Sequence, residues 1–586
     1  MYLKRLHIGP YECAMLLLVV VGTTLRIVLA SLHWPKTTSD EAFMDLMALH
    51  INERGEHPVF FYGQAYMGSL EAYLGALCFR LFGVSVFSQR LAVIPFFALF
   101  LICLYFLTRL LYTKRLALFT VGLLSLGSND IIGRQLKAIG GYPEIVFFGA
   151  CIFLLTSKIT LSAATSQQEN SRGKIPRRHA AYGLLGVMIG LAFWIDQLIL
   201  PCIATSLLLL FLFCKQELRG RGGLFLFLGA VLGALPLIIH NIADPRHNFV
   251  RVLIDLHRSG IDEMTIKHIP VLREVVGAVF ISLPSMTGLS PLCPMNVFPL
   301  FGPTTAQTLP CLIVQGSWSL GCLALWCCAV ILAGGVTWRL WRQRRSVSVQ
   351  EWAFEERGLV VRECARLMLL LSAALLFLSY IPSPHAALHP ATDARYLIPL
   401  LISTPAILWP LWQSFGRYRF HMPPWNLLAR LVQIGTLFLI LAVFLTGTIK
   451  VFNDITDAQA DYVAYNALIG NLLDHQATRI YTDYWTCGRI IFQSHEKIIC
   501  SSLDKDLVSD PFLDRYQPYR DQVMAAPHPW YVFVSRADQP DESGQKAKFE
   551  RKIRQLKIRY KHYVFANFDI YQPAVPVKLP TLPKLP

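Results

Sequence analysis

The chain has 586 residues, of which 54% are hydrophobic and only 16% are charged, and its mean hydropathy is +0.44. A soluble globular chain carries roughly 25% charged residues, so this composition excludes an ordinary soluble protein. The formal net charge is +16. It does not indicate a nucleic-acid partner, because the Lys and Arg residues concentrate in short loops between apolar runs, where they set membrane topology.

Apolar runs of about 17–25 residues recur along the chain, each long enough to cross a hydrocarbon core of about 30 Å as a helix, and we predict about eleven spans. The fold class predicted is mainly α, a polytopic membrane helical bundle with a small C-terminal extracytoplasmic α/β domain. The first run is predicted as an uncleaved span rather than a signal peptide, because it is long and interrupted by Arg26. We predict spans at 11–32, 88–112, 116–133, 143–163, 181–197, 199–214, 223–240, 317–338, 366–381, 396–415 and 430–451.

Clusters of cations predict the orientation of these spans. They fall in alternate connections, all on the side of Lys4 and Arg5, and such clusters stay on the cytoplasmic side. We therefore predict a multi-pass protein of the inner or plasma membrane with a cytoplasmic N-terminus. The clusters are Lys114 and Arg115; Arg172, Lys174, Arg177 and Arg178; Lys215, Arg219 and Arg221; Arg339, Arg342, Arg344 and Arg345; and Arg417 and Arg419.

The outer face carries the segments that do not span. The first outer loop, 33–87, contains two helix-like stretches, EAFMDLMALHINERG and AYMGSLEAYLGALCFRLFG, which we expect in the membrane interface. The long segment 241–316 is rich in Pro, Gly and Met and is predicted as a lid or binding loop. The domains predicted are thus a membrane domain 1–452, an α/β domain 453–573 and a Pro-rich tail 574–586.

Within the α/β domain, TRIYTDYW, EKIIC and PWYVFVSR are typical of strands, and 457–475 and GQKAKFERKIRQLKI are typical of helices. Most of the 14 Cys residues lie inside apolar runs, and none shows paired metal-ligand spacing. Cys487 and Cys500 form a disulfide if the compartment is oxidising and stay reduced otherwise.

Asp40 and Glu41 follow the first span directly, in the stretch HWPKTTSDEAFMDLMALH. One interpretation is structural: Thr37, Thr38, Ser39 or Asp40 caps the next helix, whose first turn favours acids. The other interpretation is functional, because ionisable groups at the bilayer edge are costly unless they are paired or used. Acids and the outer-face cations Arg134, Lys137 and Arg395 would then meet where a lipid headgroup lies.

An Asp-Glu pair after the first span, an amphipathic first outer loop and about eleven spans resemble the GT-C glycosyltransferases. FYGQAYMGSLEAYLGALCFRLFG, GGYPE and DARYLIPL resemble motifs of the bacterial branch related to dolichyl-phosphate-mannose protein mannosyltransferases and the lipid A aminoarabinose transferase. The resemblance covers about 11–450. It implies an inverting enzyme that moves a hexose or pentose from a polyprenyl-phosphate donor to a hydroxyl of a glycan, lipid or protein acceptor, outside the cytoplasmic membrane.

The same resemblance implies roles for individual residues. Asp40 matches the family's catalytic acid and would be the general base, with Glu41 as a supporting or acceptor-binding acid. Arg395 is the first choice for the donor phosphate, because a guanidinium contacts two oxygens. Lys137 and Arg134 are second choices, and ordinary interfacial snorkelling is their alternative.

Six further side chains are candidates for the substrate cavity, although the tyrosines of the first outer loop equally suit an interfacial aromatic belt. These candidates are Tyr62, Gln64, Tyr66, Glu144, Asp196 and Tyr396.

Two alternatives concern metal and function. His385, His389 and Asp393 have ligand-like spacing, but loop histidines beside proline are more often solvated, and the first loop holds no DxD pair. The resemblance favours an enzyme without metal or cofactor. The rival function is a polytopic transporter or lipid flippase, for which we expect charges in mid-span and paired broken helices, and neither is visible in the sequence.

Overall fold

The computed structural model describes residues 9–165, 175–245, 249, 269–293, 295–302, 306, 308–344, 354–413, 424–504, 506–509, 513–535 and 544–577. Much of the predicted loop 241–316 and most of the tail 574–586 therefore lie outside the described residues. The same holds for the cations Lys4, Arg5, Arg172, Lys174, Arg345, Arg417 and Arg419.

Helices make up most of the described chain, with three 3-10 helices at Gln197–Ile199, Met295–Val297 and Asp393–Ser403 and a π-helical turn at Gly277–Ser282. The α-helices are Pro10–Ser31, Ser39–Arg54, Leu70–Phe82, Val86–Leu111, Lys114–Ser125, Asn129–Leu136, Tyr142–Thr165, Ile175–Ile195, Leu200–Phe213, Lys215–Arg219, Arg221–Gly233, Leu235–Ala243, Val271–Val276, Leu283–Thr287, Thr308–Arg344, Phe354–Tyr380, Pro384–Leu388, Thr404–Gln413, Pro424–Asn453, Ile455–Asp474, Tyr484–Gln493, Gln517–Met524 and Gln545–Gln555. We call Ser39–Arg54 the first-loop helix and Tyr484–Gln493 the Tyr484 helix.

Seven helices among the described residues are long and apolar enough to cross a membrane, and counting two bent pairs as spans gives up to nine. The bent pairs are Lys114–Ser125 with Asn129–Leu136, at 83°, and Arg221–Gly233 with Leu235–Ala243, at 61°. Each of the eleven predicted runs lies mainly in described helices, although some of them cross a break between two helices. The protein is thus a multi-pass membrane protein with seven to nine candidate spans in its described part, fewer than the predicted eleven.

The chain folds into two compact units. The membrane unit comprises Met1–Arg26, Ile94–Gln135 and Tyr142–Phe452, and the Asp40 unit comprises Ile27–Val93, Leu136–Gly141 and Asn453–Pro586. The first outer loop thus belongs with the C-terminal region, which the linear division predicted at residue 452 did not anticipate.

Glycines bring two helices of the membrane unit into close contact. A Cβ on Gly186 would lie 2.1 Å from the carbonyl oxygen of Leu226, and one on Gly190 would lie 2.2 Å from that of Ala230. Membrane helices commonly use small residues in this way, because lipid supplies no hydrophobic force to hold them together.

The Asp40 unit contains a five-stranded sheet and a small two-stranded one. In the large sheet, β3 lies between β4 and β5 and is parallel to both, whereas β7 runs antiparallel to its neighbours β5 and β6. The strands, numbered along the chain, are β1 Phe60–Phe61, β2 Gln64–Gly68, β3 Arg479–Asp483, β4 Ile499–Leu503, β5 Trp530–Val534, β6 Tyr560–Phe565 and β7 Phe568–Pro573.

One sequence prediction for this unit differs from the structure. The stretch TRIYTDYW is not one strand, because the Asp483 side chain accepts a hydrogen bond from the Thr486 backbone N–H (3.1 Å) and caps a helix that begins at Tyr484. The first-loop helix is buried along most of its length, from Ser39 to Ile51. It packs against the helix Leu70–Phe82 and the Tyr484 helix, so protein covers most of its apolar side chains.

Candidate functional site

The helix cap and the candidate base are different residues. Thr38 has extended backbone angles, and its hydroxyl accepts from the Glu41 backbone N–H at 3.5 Å, which makes it the N-cap of the first-loop helix. Asp40 lies in the first turn that follows, and its side chain is 19% exposed. The capping interpretation is therefore met by Thr38, which leaves the Asp40 carboxylate available for other contacts.

Glu41 is fully buried and paired. The guanidinium of Arg90 donates to both carboxylate oxygens of Glu41, from Nε to Oε1 at 2.7 Å and from Nη2 to Oε2 at 2.9 Å. Nη2 also donates to the Pro35 carbonyl oxygen at 2.7 Å. This geometry ties the first-loop helix to the loop before it. The role of Glu41 as a supporting or acceptor-binding acid stays a prediction.

A second buried acid lies one turn beyond Glu41. Asp45 is fully buried, and neither of its carboxylate oxygens has a hydrogen-bond partner among the residues that the structure describes. Burial, and then the charge of Glu41, raise the pKa of Asp45 well above its ordinary value, against the opposing effect of Arg90. Burial without a partner therefore favours the protonated form of Asp45 over its carboxylate.

Glu71 joins two of the motifs that carried the resemblance. Its carboxylate accepts from the backbone N–H groups of Gly140 (3.0 Å) and Gly141 (2.9 Å). Both glycines have positive φ, at +113° and +85°, a conformation that other residues rarely adopt. This contact holds the segment Leu136–Gly141, and with it Lys137, in the Asp40 unit.

The Asp40 carboxylate contacts two side chains that the sequence analysis did not single out. The Tyr484 hydroxyl donates to Asp40 Oδ1, and Arg515 Nη2 lies 3.3 Å from the same oxygen. Arg515 Nε also donates to the Tyr484 hydroxyl at 3.0 Å. With its amide oxygen turned toward Arg515, Gln64 accepts from Nη1 at 2.8 Å and from the Tyr66 hydroxyl at 3.1 Å. We call these five residues the Asp40 cluster.

Tyr62 belongs to a neighbouring network. Its hydroxyl lies 2.9 Å from His50 Nδ1 and donates to Glu56 at 2.5 Å, while His50 Nε2 lies 2.8 Å from the Tyr519 hydroxyl. Glu496 completes the network, accepting from the Tyr519 hydroxyl at 2.6 Å. These bonds join the first-loop helix to the C-terminal part of the same unit.

The other predicted cations, Arg134 and Arg395, lie in the membrane unit. Arg395 Nη2 lies 3.3 Å from Asp393 Oδ1 and 3.4 Å from the Tyr396 hydroxyl. Arg134 donates to the carbonyl oxygen of Thr392 at 3.2 Å, and the like charges of Arg134 and Arg395 interact. The structure thus brings the two predicted arginines and Tyr396 together in one group, the Arg395 cluster.

Asp196 and Glu144 also lie in the membrane unit. Asp196 is the N-cap of a 3-10 helix, accepting from the Leu198 backbone N–H at 2.8 Å, and it interacts electrostatically with Tyr142 and Tyr396. Glu144 is fully buried in the first turn of the helix Tyr142–Thr165. Asp196 therefore borders the Arg395 cluster, whereas Glu144 is enclosed by protein.

In the part of the chain that the structure describes, no group of three or more His, Cys, Asp or Glu side chains is placed to hold a metal ion. His385 Nδ1 instead lies 2.9 Å from Asp393 Oδ2, and its ring meets Tyr396 edge-on at 5.0 Å. His385 therefore supports the same aspartate that pairs with Arg395.

Two disulfides are present, Cys487–Cys500 and Cys293–Cys311. The first joins the Tyr484 helix to β4. The second closes part of the segment 241–316, and it was not predicted.

No family model matches the sequence, and no curated protein matches it. Among solved structures, ArnT from Cupriavidus metallidurans bound to undecaprenyl phosphate matches with a TM-score of 0.51 and 14% identity, covering 95% of this chain and 97% of ArnT. ArnT in the apo state gives a TM-score of 0.52 at 13% identity, with the same coverage. The Archaeoglobus fulgidus oligosaccharyltransferase tethered to an acceptor peptide gives 0.51 at 13% identity, covering 97% of this chain and 75% of that one. The chain therefore has the GT-C fold, as predicted.

Proposed function

We propose that this protein is a membrane glycosyltransferase that moves a sugar from a polyprenyl-phosphate donor to an acceptor hydroxyl. The observation that carries the proposal is the Asp40 carboxylate, partly exposed and held by Tyr484 and Arg515 through one oxygen. It lies directly after the first span of a fold shared with ArnT, whose structure contains undecaprenyl phosphate.

The proposed reaction is a single displacement with inversion. The acceptor hydroxyl attacks the anomeric carbon, its proton passes to the Asp40 carboxylate, and a new carbon–oxygen bond forms as the bond to the phosphate breaks. The leaving group is polyprenyl phosphate, which is a stable anion and needs no strong general acid. The protein must therefore supply a base and a cationic site for the phosphate.

Arg395 is the proposed phosphate ligand, with Arg134 beside it. Two guanidinium groups whose like charges interact provide positive potential, and a phosphate can take the place of the single contact to Asp393. Lys137 stays a second choice. Gln64, Tyr66 and Tyr62 are proposed as substrate contacts of the Asp40 unit, and Tyr396 and Asp196 as substrate contacts of the membrane unit. Glu144 and Glu41 are proposed to act through the packing around them.

The proposed orientation places the C-terminal region outside the cytoplasm. Both disulfides support it, because Cys293–Cys311 and Cys487–Cys500 lie in the segments 241–316 and 453–573, which the cation clusters assign to the outer face. We also propose that transfer is metal-independent, since Asp40 is surrounded by a phenol and a guanidinium, which do not form a hard-cation ligand set.

The test is donor turnover by the full chain in lipid nanodiscs. Polyprenyl-phosphate hexoses and pentoses are offered with cell-envelope lipids, glycans and peptides as acceptors, and released polyprenyl phosphate is measured. Catalysed release linked to a glycosylated acceptor supports the proposal. The rival transporter or flippase keeps one feature in its favour, the two bent helix pairs. It would move the donor between leaflets with its sugar still attached, and that result would overturn the proposal.

A further inference from the structure

The contacts of Asp40 are one-sided. Both side chains that reach it, Tyr484 and Arg515, engage the Oδ1 oxygen. Among the described residues no hydrogen bond reaches Oδ2. A carboxylate tied through one oxygen has its rotation restricted, and its second oxygen is available to accept a proton.

The two partners come from the C-terminal part of the Asp40 unit, and Tyr484 is firmly placed. It is the first residue of a helix capped by Asp483. That helix approaches the first-loop helix closely at Gly488, whose N–H donates to the Ser39 hydroxyl at 3.2 Å and whose added Cβ would lie 2.7 Å from that oxygen. The Asp40–Tyr484 contact is thus fixed by packing next to it.

Arg515 is held by the residues on both sides of it. Asp514 accepts from the Ser502 backbone N–H at 2.8 Å and from the Ser509 hydroxyl at 3.1 Å, which anchors the segment to the end of β4. Tyr516 donates to Glu56 at 3.0 Å, just beyond the first-loop helix. The Arg515 side chain is only 11% exposed, so it is placed by the protein and not merely attracted from solvent.

Tyr484 and Arg515 both keep their protons, so they act as hydrogen-bond donors and not as bases. Burial, and then the charge of Asp40, raise the pKa of Tyr484, so the phenol keeps its proton. Burial works against the charge of Arg515, but Tyr484 and Asp40 outweigh it and raise the pKa of the guanidinium. Tyr484 and Arg515 therefore both act as hydrogen-bond donors to the Asp40 carboxylate.

We infer that Tyr484 and Arg515 are positioning residues of the transfer reaction: they hold Asp40 by Oδ1 so that Oδ2 meets the acceptor hydroxyl. The inference rests on the proposed function and deepens it. It makes the α/β domain, in which no activity is recognised from the sequence, a part of the active site. A structural domain that merely sits beside the site would not need a phenol and a guanidinium on the same oxygen.

The experiment compares Tyr484→Phe, Arg515→Gln and Arg515→Lys with the wild type, as full chains in nanodiscs. The controls are Tyr560→Phe and Arg551→Gln, exposed residues of the same domain. We expect Tyr484→Phe and Arg515→Gln each to lower kcat by about 10- to 100-fold, the range for a lost hydrogen bond to a charged group, with the donor KM within about twofold. Arg515→Lys should recover part of kcat, because the charge is kept and the fork geometry is lost.

The outcomes separate the two proposals. If the wild type transfers sugar, Asp40→Asn does not, and Tyr484→Phe and Arg515→Gln keep the wild-type kcat, the inference is overturned and the proposed function stands. A lower kcat that matches a loss of folded protein, measured by thermal unfolding, with no rescue by Lys, would also overturn the inference. If the wild type releases no polyprenyl phosphate from any donor, both fall together.

Discussion

Arg90 and Glu41 form a two-pronged ion pair in which neither residue is exposed by more than 1%. The pair is made by residues 49 positions apart, and it joins the first-loop helix to the start of the helix Val86–Leu111. A buried pair of this kind contributes specificity of packing more surely than net stability. Replacing only one of the two residues, however, leaves the charge of the other buried without an opposite charge beside it.

The first prediction follows from that asymmetry. Glu41→Gln should lower the free energy of unfolding by about 3–5 kcal/mol, the cost of breaking a buried ion pair from one side, and should reduce the yield of folded protein. The measurement is thermal or denaturant unfolding in detergent. Glu53→Gln, at an exposed position of the same helix, is the matched control and should stay within about 0.5 kcal/mol of wild type. Equal free energies of unfolding for Glu41→Gln and Glu53→Gln would show that the Arg90–Glu41 pair does not stabilise the fold.

Asp45 leads to the opposite expectation. The pKa of Asp45 is raised in the folded state. Above pH 3.8, the ordinary pKa of the group, the unfolded state therefore loses a proton that the folded state keeps, and the free energy of unfolding falls as the pH rises. Asp45→Asn removes this pH dependence and keeps the shape. The variant should therefore melt at or above the wild-type temperature at pH 8, with the difference shrinking toward pH 4. A large loss of stability at pH 8 would mean that Asp45 is ionised and paired.

The fold could be predicted from the sequence because lipid imposes long apolar helices, and each of the eleven runs lies mainly in described helices. Hydropathy, however, carries no information about the direction of a helix axis. The breaks near Gly127 and Pro236 bend two runs by 83° and 61°. The mean hydropathy of a bent run is the same as that of a straight one, so the bend leaves no mark in it. Likewise, the first-loop helix has apolar residues that suit an interface or a core equally well, and only the partners it packs against decide between them.

The site was predictable only in part, for a similar reason. Asp40 stands out because it follows an apolar run, which is a local signal. Tyr484 and Arg515 are 444 and 475 positions away from it, in a domain of ordinary composition, and one chain carries no local sign of such a pairing. The partner of Glu41 was not predicted, because Arg90 lies at the start of a span, where a cation is commonly an interfacial anchor.

Arg395 provides a prediction about the donor. Arg395→Ala should raise the donor KM by about 10- to 100-fold through loss of a charge-assisted contact, whereas Arg395→Lys should recover it only in part. The readout is the donor dependence of turnover in nanodiscs, with Arg342→Ala, an exposed arginine of the membrane unit, as control. An unchanged donor KM in the Ala variant would transfer the phosphate role to Arg134 or Lys137.

The proposed orientation is testable with reporters. At a fusion after residue 452, a reporter that works only outside the cytoplasm should be active, and one that works only in the cytoplasm should be inactive. Within 339–362 the opposite result is expected, because the cation cluster around Arg339 stays on the cytoplasmic side. The matched pair uses one export-dependent and one cytoplasm-dependent reporter at each position. If both positions report the same side, the number of crossings between them is even and the placement of Asp40 outside the membrane fails.

The most discriminating prediction concerns Asp40 itself, since its cap and base interpretations are now assigned to different residues. Asp40→Asn keeps Oδ1 for Tyr484 and Arg515 but replaces the proton-accepting oxygen with an amide, so transfer should fall by about 10²–10⁴-fold, while melting temperature and donor binding stay close to wild type. Thr38→Ala is the matched control: loss of the cap should cost about 1 kcal/mol of stability and leave transfer largely intact. The measurements are sugar transfer, donor binding and thermal unfolding of both variants in the same nanodiscs. A stable Asp40→Asn protein with near-normal transfer would remove the general base from the mechanism, and the reaction would then need another proton acceptor within the Asp40 unit.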